Sequence, residues 1–422
     1  MSDQPALARR LGTTDATVIG LGSMLGAGVF AAFTPAAQAA GSGLLVGLVI
    51  AAIVAIGNAT STAQLAVAHP TSGGVFIYGR ERLGPWWGFI AGWSFVVGKT
   101  ASCAAMALVF ASYAAPAGWE RPVALLAVIA VTAVNLVGIT RTALASRVIL
   151  IVVLATLAVV VSSGVASGLP AFSAPLDLLS DGPYGILQSA GLLFFAFAGY
   201  ARIATLGEEV RHPERVIPRA IVFALGIALV IYTAVAVVTL GTLGPDGLAS
   251  SAEPLSDTVA AVGWAPAEPV VRIGASAAAL GALLALVAGI GRTVLAMARY
   301  GELPRWLAAV HPRWSVPHRA EIVIGIAILA LVGTTDLRGA IGFSSFGVLV
   351  YYLVANLAAL TQPRAQRLFP RVLAVVGGVG CLALCATLPL LSVVLGLGVI
   401  ALGVVLRSVK FIVTAHNRSG DT

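Results

Sequence analysis

Long apolar runs alternate with short polar stretches along almost the whole chain. Most of these runs reach about 18 apolar residues, the length that predicts a membrane-spanning helix. Because no polar stretch is long enough to hold a separate soluble domain, residues 1–422 are predicted to form a single all-α transmembrane domain. Twelve runs predict helices near residues 15–38, 43–67, 85–114, 122–139, 148–168, 186–207, 219–243, 268–297, 321–336, 339–361, 372–387 and 389–410.

The composition agrees with this pattern. Hydrophobic residues make up 59% of the chain and charged residues only 10%, whereas a soluble domain carries about 25% charged residues. A polytopic membrane protein in a lipid bilayer is therefore predicted. Its net charge of +8 does not indicate nucleic-acid binding, because the basic residues of such a chain mark its cytoplasmic loops.

Lysine and arginine residues concentrate in the two terminal segments and in every second loop. Of the 25 basic residues, only Arg121 and Arg338 fall in the opposite loops. By the positive-inside rule, both termini are predicted to be cytoplasmic. The abundance of alanine and arginine indicates a GC-rich bacterial genome, so the expected location is the plasma (inner) membrane of a bacterium.

Two of the predicted helices carry signs of an interruption. The first contains GSMLGAG (22–28), with three glycines in seven residues, and the sixth contains FAFAGY (195–200). Helices broken at matching places in two inverted repeats indicate a transporter's binding site. The repeats would comprise residues of about 15–168 and 186–361, followed by two helices over about 372–410. The alternative for the first helix is that its glycines form a helix-packing face.

A break in the first helix would expose backbone groups of both signs. The amide groups from Gly26 to Gly28 would point into a cavity at the positive end of a helix dipole, where they can bind a carboxylate. Carbonyl groups near Ser23 and Met24, and those from Ala196 to Ala198, can accept hydrogen bonds from an ammonium group. A zwitterionic amino acid satisfies both sets.

Five segments together resemble the amino acid, polyamine and organocation (APC) permeases, over about residues 12 to 361. The segments are GLGSMLGAGVF (20–30), HPTSGGVFIYGRERLG (69–84), FFAFAGYARIATLGEEVRHPERVIPRAI (194–221), GRTVLAMARYGELPRWLAAVHPR (291–313) and SSFGVLVYYLVANLAAL (344–360). This resemblance implies twelve transmembrane helices with the five-plus-five inverted repeat of the bacterial leucine transporter. It also implies alternating access, with the substrate between helices one, three, six and eight.

The resemblance also implies roles for individual residues. The Met24 and Ala198 carbonyls would bind the substrate amine beside the break at Gly199, and Phe195 would be an aromatic lid. The carboxylate would bind the amides of Gly26, Ala27 and Gly28, and Thr100 and Cys103 would face the pocket. Many relatives have a hydroxyl residue at the place of Ala27 and an acid soon after the sixth-helix break, where this chain has Ala201 and Arg202. The missing acid favours neutral substrates.

Three charged residues are candidates for coupling or gating. Lys99 lies within the third run, where an ammonium faces a cavity or a partner. Burial disfavours its charged form, so it can either exchange protons during transport or act as a fixed ammonium bound to carbonyls of an unwound helix. Arg202 is expected to act as a gate or an inter-helix tie. Glu208 is expected at the cytoplasmic gate, with a solvated helix end as the alternative.

Rival functions are weighed on the same residues. An enzyme is not expected, because no aspartate is predicted at membrane depth and the five histidines lie in loops or the tail. No metal or cofactor is expected, since the three cysteines all lie inside apolar runs and predict neither a disulfide framework nor a zinc cluster. The predicted function is a proton-coupled or exchanging permease for neutral amino acids. A permease or exporter of polyamines, cationic amino acids or other amines is the alternative, as is a non-transporting amino acid sensor. The oligomeric state does not follow from the sequence.

Overall fold

The computed structural model describes residues 11–26, 28–69, 73–138, 143–169, 172, 177–179, 181–204 and 209–419, with side chains omitted at 143–145 and 411–419. Within these ranges the chain is helical apart from turns, short connections and one isolated bridge between Leu11 and Val210. The α-helices are α1 (Thr13–Met24), α2 (Gly28–Ala31), α3 (Phe33–Ala40), α4 (Leu44–Ala68), α5 (Gly74–Leu83), α6 (Pro85–Ala114), α7 (Glu120–Leu136), α8 (Ala143–Ala166), α9 (Gly182–Phe197), α10 (Ala201–Ala204), α11 (Pro213–Ser250), α12 (Pro254–Ala261), α13 (Glu268–Arg299), α14 (His318–Thr334), α15 (Leu337–Leu360), α16 (Arg371–Thr387) and α17 (Leu390–Ser419).

The predicted all-α class is confirmed. Among the described residues, 9 helical stretches are long and apolar enough to cross a membrane. Helices α7, α14 and α16 have 17 residues each and coincide with the fourth, ninth and eleventh predicted runs. The count of twelve spans and the inverted repeat stay predictions.

Proline and glycine account for several of the helix boundaries. Helix α6 begins at Pro85, directly after Gly84 with a φ of 104°, and proline at a first position loses no hydrogen bond. The long helix α11 contains Gly244 with a φ of 69°, followed by Pro245. The chain therefore turns at Gly244, and the apolar stretch ends there, close to the predicted boundary at residue 243.

Helix α6 lies at the centre of the bundle, because it packs against both α13 and α15. Small residues allow this approach: a methyl group on Gly98 of α6 would lie 3.1 Å from the Cα of Gly347 in α15. One turn further, the hydroxyls of Ser102 and Ser344 are 2.6 Å apart. Such small-residue and hydroxyl contacts are the usual means of packing helices in a bilayer, where apolar burial alone does not distinguish lipid from protein.

Both predicted interruptions coincide with helix ends. Helix α1 ends at Met24, and the helix resumes at Gly28. Helix α9 ends at Phe197, and a 3-10 turn over Ala198–Tyr200 precedes α10. These two breaks, at residues 25–26 and 198–200, lie against each other in the interior and form the candidate site.

Candidate functional site

The two breaks cross so closely that their backbones touch. A methyl group on Gly199 would lie 2.6 Å from the Met24 nitrogen, and one on Gly28 would lie 2.8 Å from the Cα of Ala196. On the other side, a methyl group on Gly26 would lie 3.0 Å from the Cβ of Ala282 in α13. Glycine is therefore needed at these positions for packing, in addition to any role of its amide.

A tyrosine that sequence reasoning missed joins the two breaks. The Tyr232 hydroxyl, from α11, lies 2.6 Å from the Met24 carbonyl oxygen and 2.9 Å from the Ala196 carbonyl oxygen. Its ring packs edge-to-face on Phe197, with the centroids 5.0 Å apart. Because the hydroxyl carries one proton, it can donate to only one carbonyl at a time.

The binding of a substrate amine by the Met24 and Ala196 carbonyls stays a prediction, and Tyr232 is a further partner of both. In this structure both are within hydrogen-bonding distance of a buried protein hydroxyl, and Met24 is itself only 1% exposed. The available signal was the single tyrosine within the run 219–243. Sequence spacing gave no sign that it would reach residues so distant along the chain.

Lys99 contacts the second break. Its ammonium donates to the Ala198 carbonyl oxygen across 3.4 Å, and the Tyr352 hydroxyl donates to the same oxygen at 3.4 Å. The lysine is 8% exposed, and no carboxylate lies within 4.0 Å of it among the described residues. This geometry matches the predicted alternative of an ammonium bound to a carbonyl of an unwound helix. Proton exchange at Lys99 stays a prediction.

The remaining candidate hydroxyls on α1 and α6 donate hydrogen bonds to carbonyls of their own helices. The Ser23 hydroxyl is exposed and donates to the Ile19 carbonyl at 2.9 Å, so only the backbone of Ser23 reaches the crossing. The Thr100 hydroxyl donates to the Val96 carbonyl at 2.7 Å. Cys103 is fully buried one turn beyond Lys99. In this conformation neither Thr100 nor Ser23 presents a free hydroxyl to a ligand.

Phe195, Arg202 and two further candidates complete the predicted set. Phe195 is buried in α9, beside the second break. Arg202 lies just beyond that break, within electrostatic range of Arg292 in α13 and of Glu209. Ala27 and Glu208 lie outside the described residues.

Contacts close the crossing at both ends. At the first closure, Leu11 forms backbone hydrogen bonds of 3.1 Å with Glu209 and Arg211, and Asp15 of α1 pairs with Arg147 of α8 at 2.7 Å. At the second closure, the Thr34 hydroxyl of α3 donates to the Ser251 carbonyl at 3.0 Å. These contacts connect the helices on either side of the first break, α1 and α3, with other parts of the bundle.

Comparisons with known proteins identify the family of this chain. The amino acid permease family model matches residues 11–409. An uncharacterized transporter of Mycobacterium tuberculosis (strain ATCC 25618 / H37Rv) is 57% identical over 99% of this chain and 95% of its own length. The branched-chain amino acid permease BcaP of Bacillus subtilis (strain 168) is 25% identical over 88% of this chain and 84% of its own. The methylthioribose transporter of the same organism is 27% identical, with coverages of 85% and 82%.

The described residues form helices with apolar spans and two crossing breaks, and the family model matches almost the whole chain. The protein is therefore a multi-pass membrane transporter and not an enzyme. The predicted resemblance is confirmed. The chain belongs to the amino acid permease family of the APC superfamily.

Proposed function

We propose that the protein is a secondary active transporter that moves neutral amino acids across a bacterial plasma membrane by alternating access. The observation that carries this proposal is the contact between the two helix breaks, where Gly199 lies against the backbone of Met24. Backbone amides and carbonyls are concentrated there, which suits a substrate with a carboxylate and an ammonium group. Twelve helices, a five-plus-five inverted repeat and cytoplasmic termini complete the proposed architecture.

The carboxylate would bind at the first break. The proposed donors are the amides of Gly26, Ala27 and Gly28, since the helix resumes at Gly28 and the partial positive charge of a helix start attracts an anion. No hydroxyl side chain assists, because the middle position is alanine. Binding at this end would rest on the backbone alone.

The ammonium would bind between the breaks, where Tyr232 competes with it for one of two carbonyls. The single hydroxyl proton satisfies one of the two carbonyls, of Met24 and Ala196, and leaves the other as an acceptor. A substrate ammonium has three donors, so it can bind the open carbonyl without displacing the tyrosine.

Charge favours a neutral side chain. Lys99 is a cation at the second break when it is protonated, and no acid directly follows that break, where the chain has Ala201 and Arg202. A cationic side chain would therefore meet repulsion without a compensating carboxylate. The relative named as a branched-chain amino acid permease supports the same substrate class. Proton coupling or substrate exchange would drive transport.

A second candidate substrate class is an uncharged metabolite without an amino group. It is favoured by the hydrogen bonds already present at the breaks, because Lys99 donates to the Ala198 carbonyl and Tyr232 donates to one of the Met24 and Ala196 carbonyls at a time. The relative named as a methylthioribose transporter is consistent with this alternative.

Thermal unfolding of the purified protein with a panel of ligands tests both candidates. A ligand that binds only the folded state raises the melting temperature by mass action. The panel comprises leucine, valine, lysine, isobutylamine, isovalerate and methylthioribose. A shift with leucine or valine that exceeds the shifts with isobutylamine and isovalerate is expected, since only the amino acid binds both ends. A shift with methylthioribose alone would replace the first candidate by the second.

A further inference from the structure

A buried carboxyl group lies outside the site described above. Glu321 is in the first turn of α14, its residue is 2% exposed, and its Oε2 atom has no hydrogen-bond partner. Within the described part of the chain no basic group lies within 4.0 Å of it. An ionised carboxylate in such surroundings is costly unless it is paired or protonated.

A glycine on α13 makes room for this carboxyl group. A methyl group on Gly291 would lie 3.0 Å from Cγ and 3.4 Å from Oε1 of Glu321. The side chain therefore lies directly on the surface of α13, which also carries Ala282 beside the break at Gly26. One rigid helix thus connects the carboxyl group with the candidate substrate site.

The charged groups around Glu321 are few. From α13, the guanidinium of Arg292 acts on it electrostatically. The basic end of α7 is remote, since Arg121 donates to the Gly333 carbonyl at the other end of α14. Lys99, the one charged residue of α6, contacts Ala198 instead.

The neighbouring turn and α14 itself add three further groups. The side chain of Arg305, in the turn Arg305–Ala308, is exposed. On α14, Arg319 donates to the Trp306 carbonyl, and His318 has a buried Nδ1 atom without a hydrogen-bond partner. Arg292 is therefore the counter-charge that acts on Glu321 from the helix on which its side chain lies.

We propose that Glu321 is a proton-binding residue of the transporter, neutral while it is buried against Gly291 and ionised when it pairs with Arg292. No covalent bond other than the carboxyl O–H bond forms or breaks. The proton is exchanged with water on the side of the membrane at which α14 begins. This inference rests on the proposed transport function and adds the site at which the driving ion binds.

Arg292 connects the proton site with the second break. Arg202, just after that break, is within electrostatic range of Arg292, and two like charges at close range repel each other. An ionised Glu321 would offset the charge of Arg292 and weaken this repulsion, whereas a neutral Glu321 would leave it. The protonation state of Glu321 therefore changes the electrostatic force on α10. This helix comes directly after the turn of the second break in the chain.

Transport by protein reconstituted in liposomes tests the proposal with Glu321→Gln, which mimics the neutral form. One coupled proton supports about tenfold substrate accumulation per unit of pH gradient. Wild-type protein should show this accumulation. The variant should lose it entirely and equilibrate the substrate, while exchange of internal for external substrate persists. Glu214→Gln makes the same change at an exposed residue in the first turn of α11, and it should accumulate substrate like wild type.

The outcomes separate the two proposals. Two results would overturn the proton site and leave the permease intact. One is accumulation by Glu321→Gln at the wild-type level. The other is wild-type protein that exchanges substrate but does not accumulate it in response to a pH gradient. Absence of amino acid exchange in the wild type would instead overturn the proposed substrate class. Infrared difference spectroscopy between wild type and Glu321→Gln gives a readout without transport: a protonated carboxyl band at neutral pH is expected, and its absence would refute a neutral buried Glu321.

Discussion

Replacing Tyr232 with phenylalanine tests whether the two helix breaks are joined as described. The substitution keeps the ring that packs on Phe197 and removes only the hydroxyl between the Met24 and Ala196 carbonyls. Two acceptors lose a partner, but only one hydrogen bond is broken at any time, because the hydroxyl has one proton. Leaving a buried acceptor unsatisfied costs about 1–3 kcal/mol, so the free energy of unfolding should fall by that amount.

The same substitution should increase the stabilisation by substrate. With the hydroxyl gone, both carbonyls are open to the three donors of an ammonium group, so a saturating amino acid should raise the melting temperature of the variant more than that of wild type. Equilibrium unfolding in mixed detergent micelles gives the first quantity, and thermal unfolding with and without substrate gives the second. Tyr184→Phe is the matched control, since Tyr184 is 57% exposed.

Two results would refute this reasoning about Tyr232. Unfolding of Tyr232→Phe at the wild-type free energy would mean that the hydroxyl does not hold the breaks together. A smaller ligand-induced shift than in wild type would mean that the tyrosine itself binds the substrate, instead of competing with its ammonium group.

Three further substitutions have defined outcomes. Gly199→Ala places a methyl group against backbone atoms that cannot move aside, so it should cost at least about 1–3 kcal/mol and abolish substrate exchange; exchange at the wild-type rate would contradict the crossing. Lys99→Met removes the cation at the second break, and lysine should then raise the melting temperature where it does not in wild type; no gain would show that Lys99 does not set charge selectivity. Glu302→Gln removes the acid that pairs with both Arg80 and Arg407, at 2.7 and 2.6 Å. The free energy of unfolding should fall by about 3–5 kcal/mol. A fall below about 1 kcal/mol would contradict a buried triad.

The features that the sequence predicts correctly, helix positions and helix ends, depend on residues that are neighbours along the chain. Apolar run length predicted the helices, and the glycines of 22–28 together with Gly199 predicted where two of them end. The glycine signal was correct in position but incomplete in meaning, because these residues also let two backbones touch. A small residue signals close approach without naming the partner.

Long-range partners could not be predicted in this way. Tyr232 reaches Met24 across 208 positions in sequence, and no spacing rule covers such a distance. The apolar pattern does not predict a buried Glu321, because the ninth apolar run begins at that residue and its carboxyl group has the place of a boundary charge. Helix α14 begins three positions earlier, at His318, and this places Glu321 within the packed helix.

The pairing of Leu11 with the segment from Glu209 to Arg211 has a consequence for how this protein can be studied. Both of its hydrogen bonds run between main-chain atoms, so they are available to any residue except proline at the donor positions. Such a main-chain pairing tolerates amino-acid substitutions, and alanine substitutions would leave it unchanged. Only changes to the backbone itself would reveal how much of the closed state depends on it.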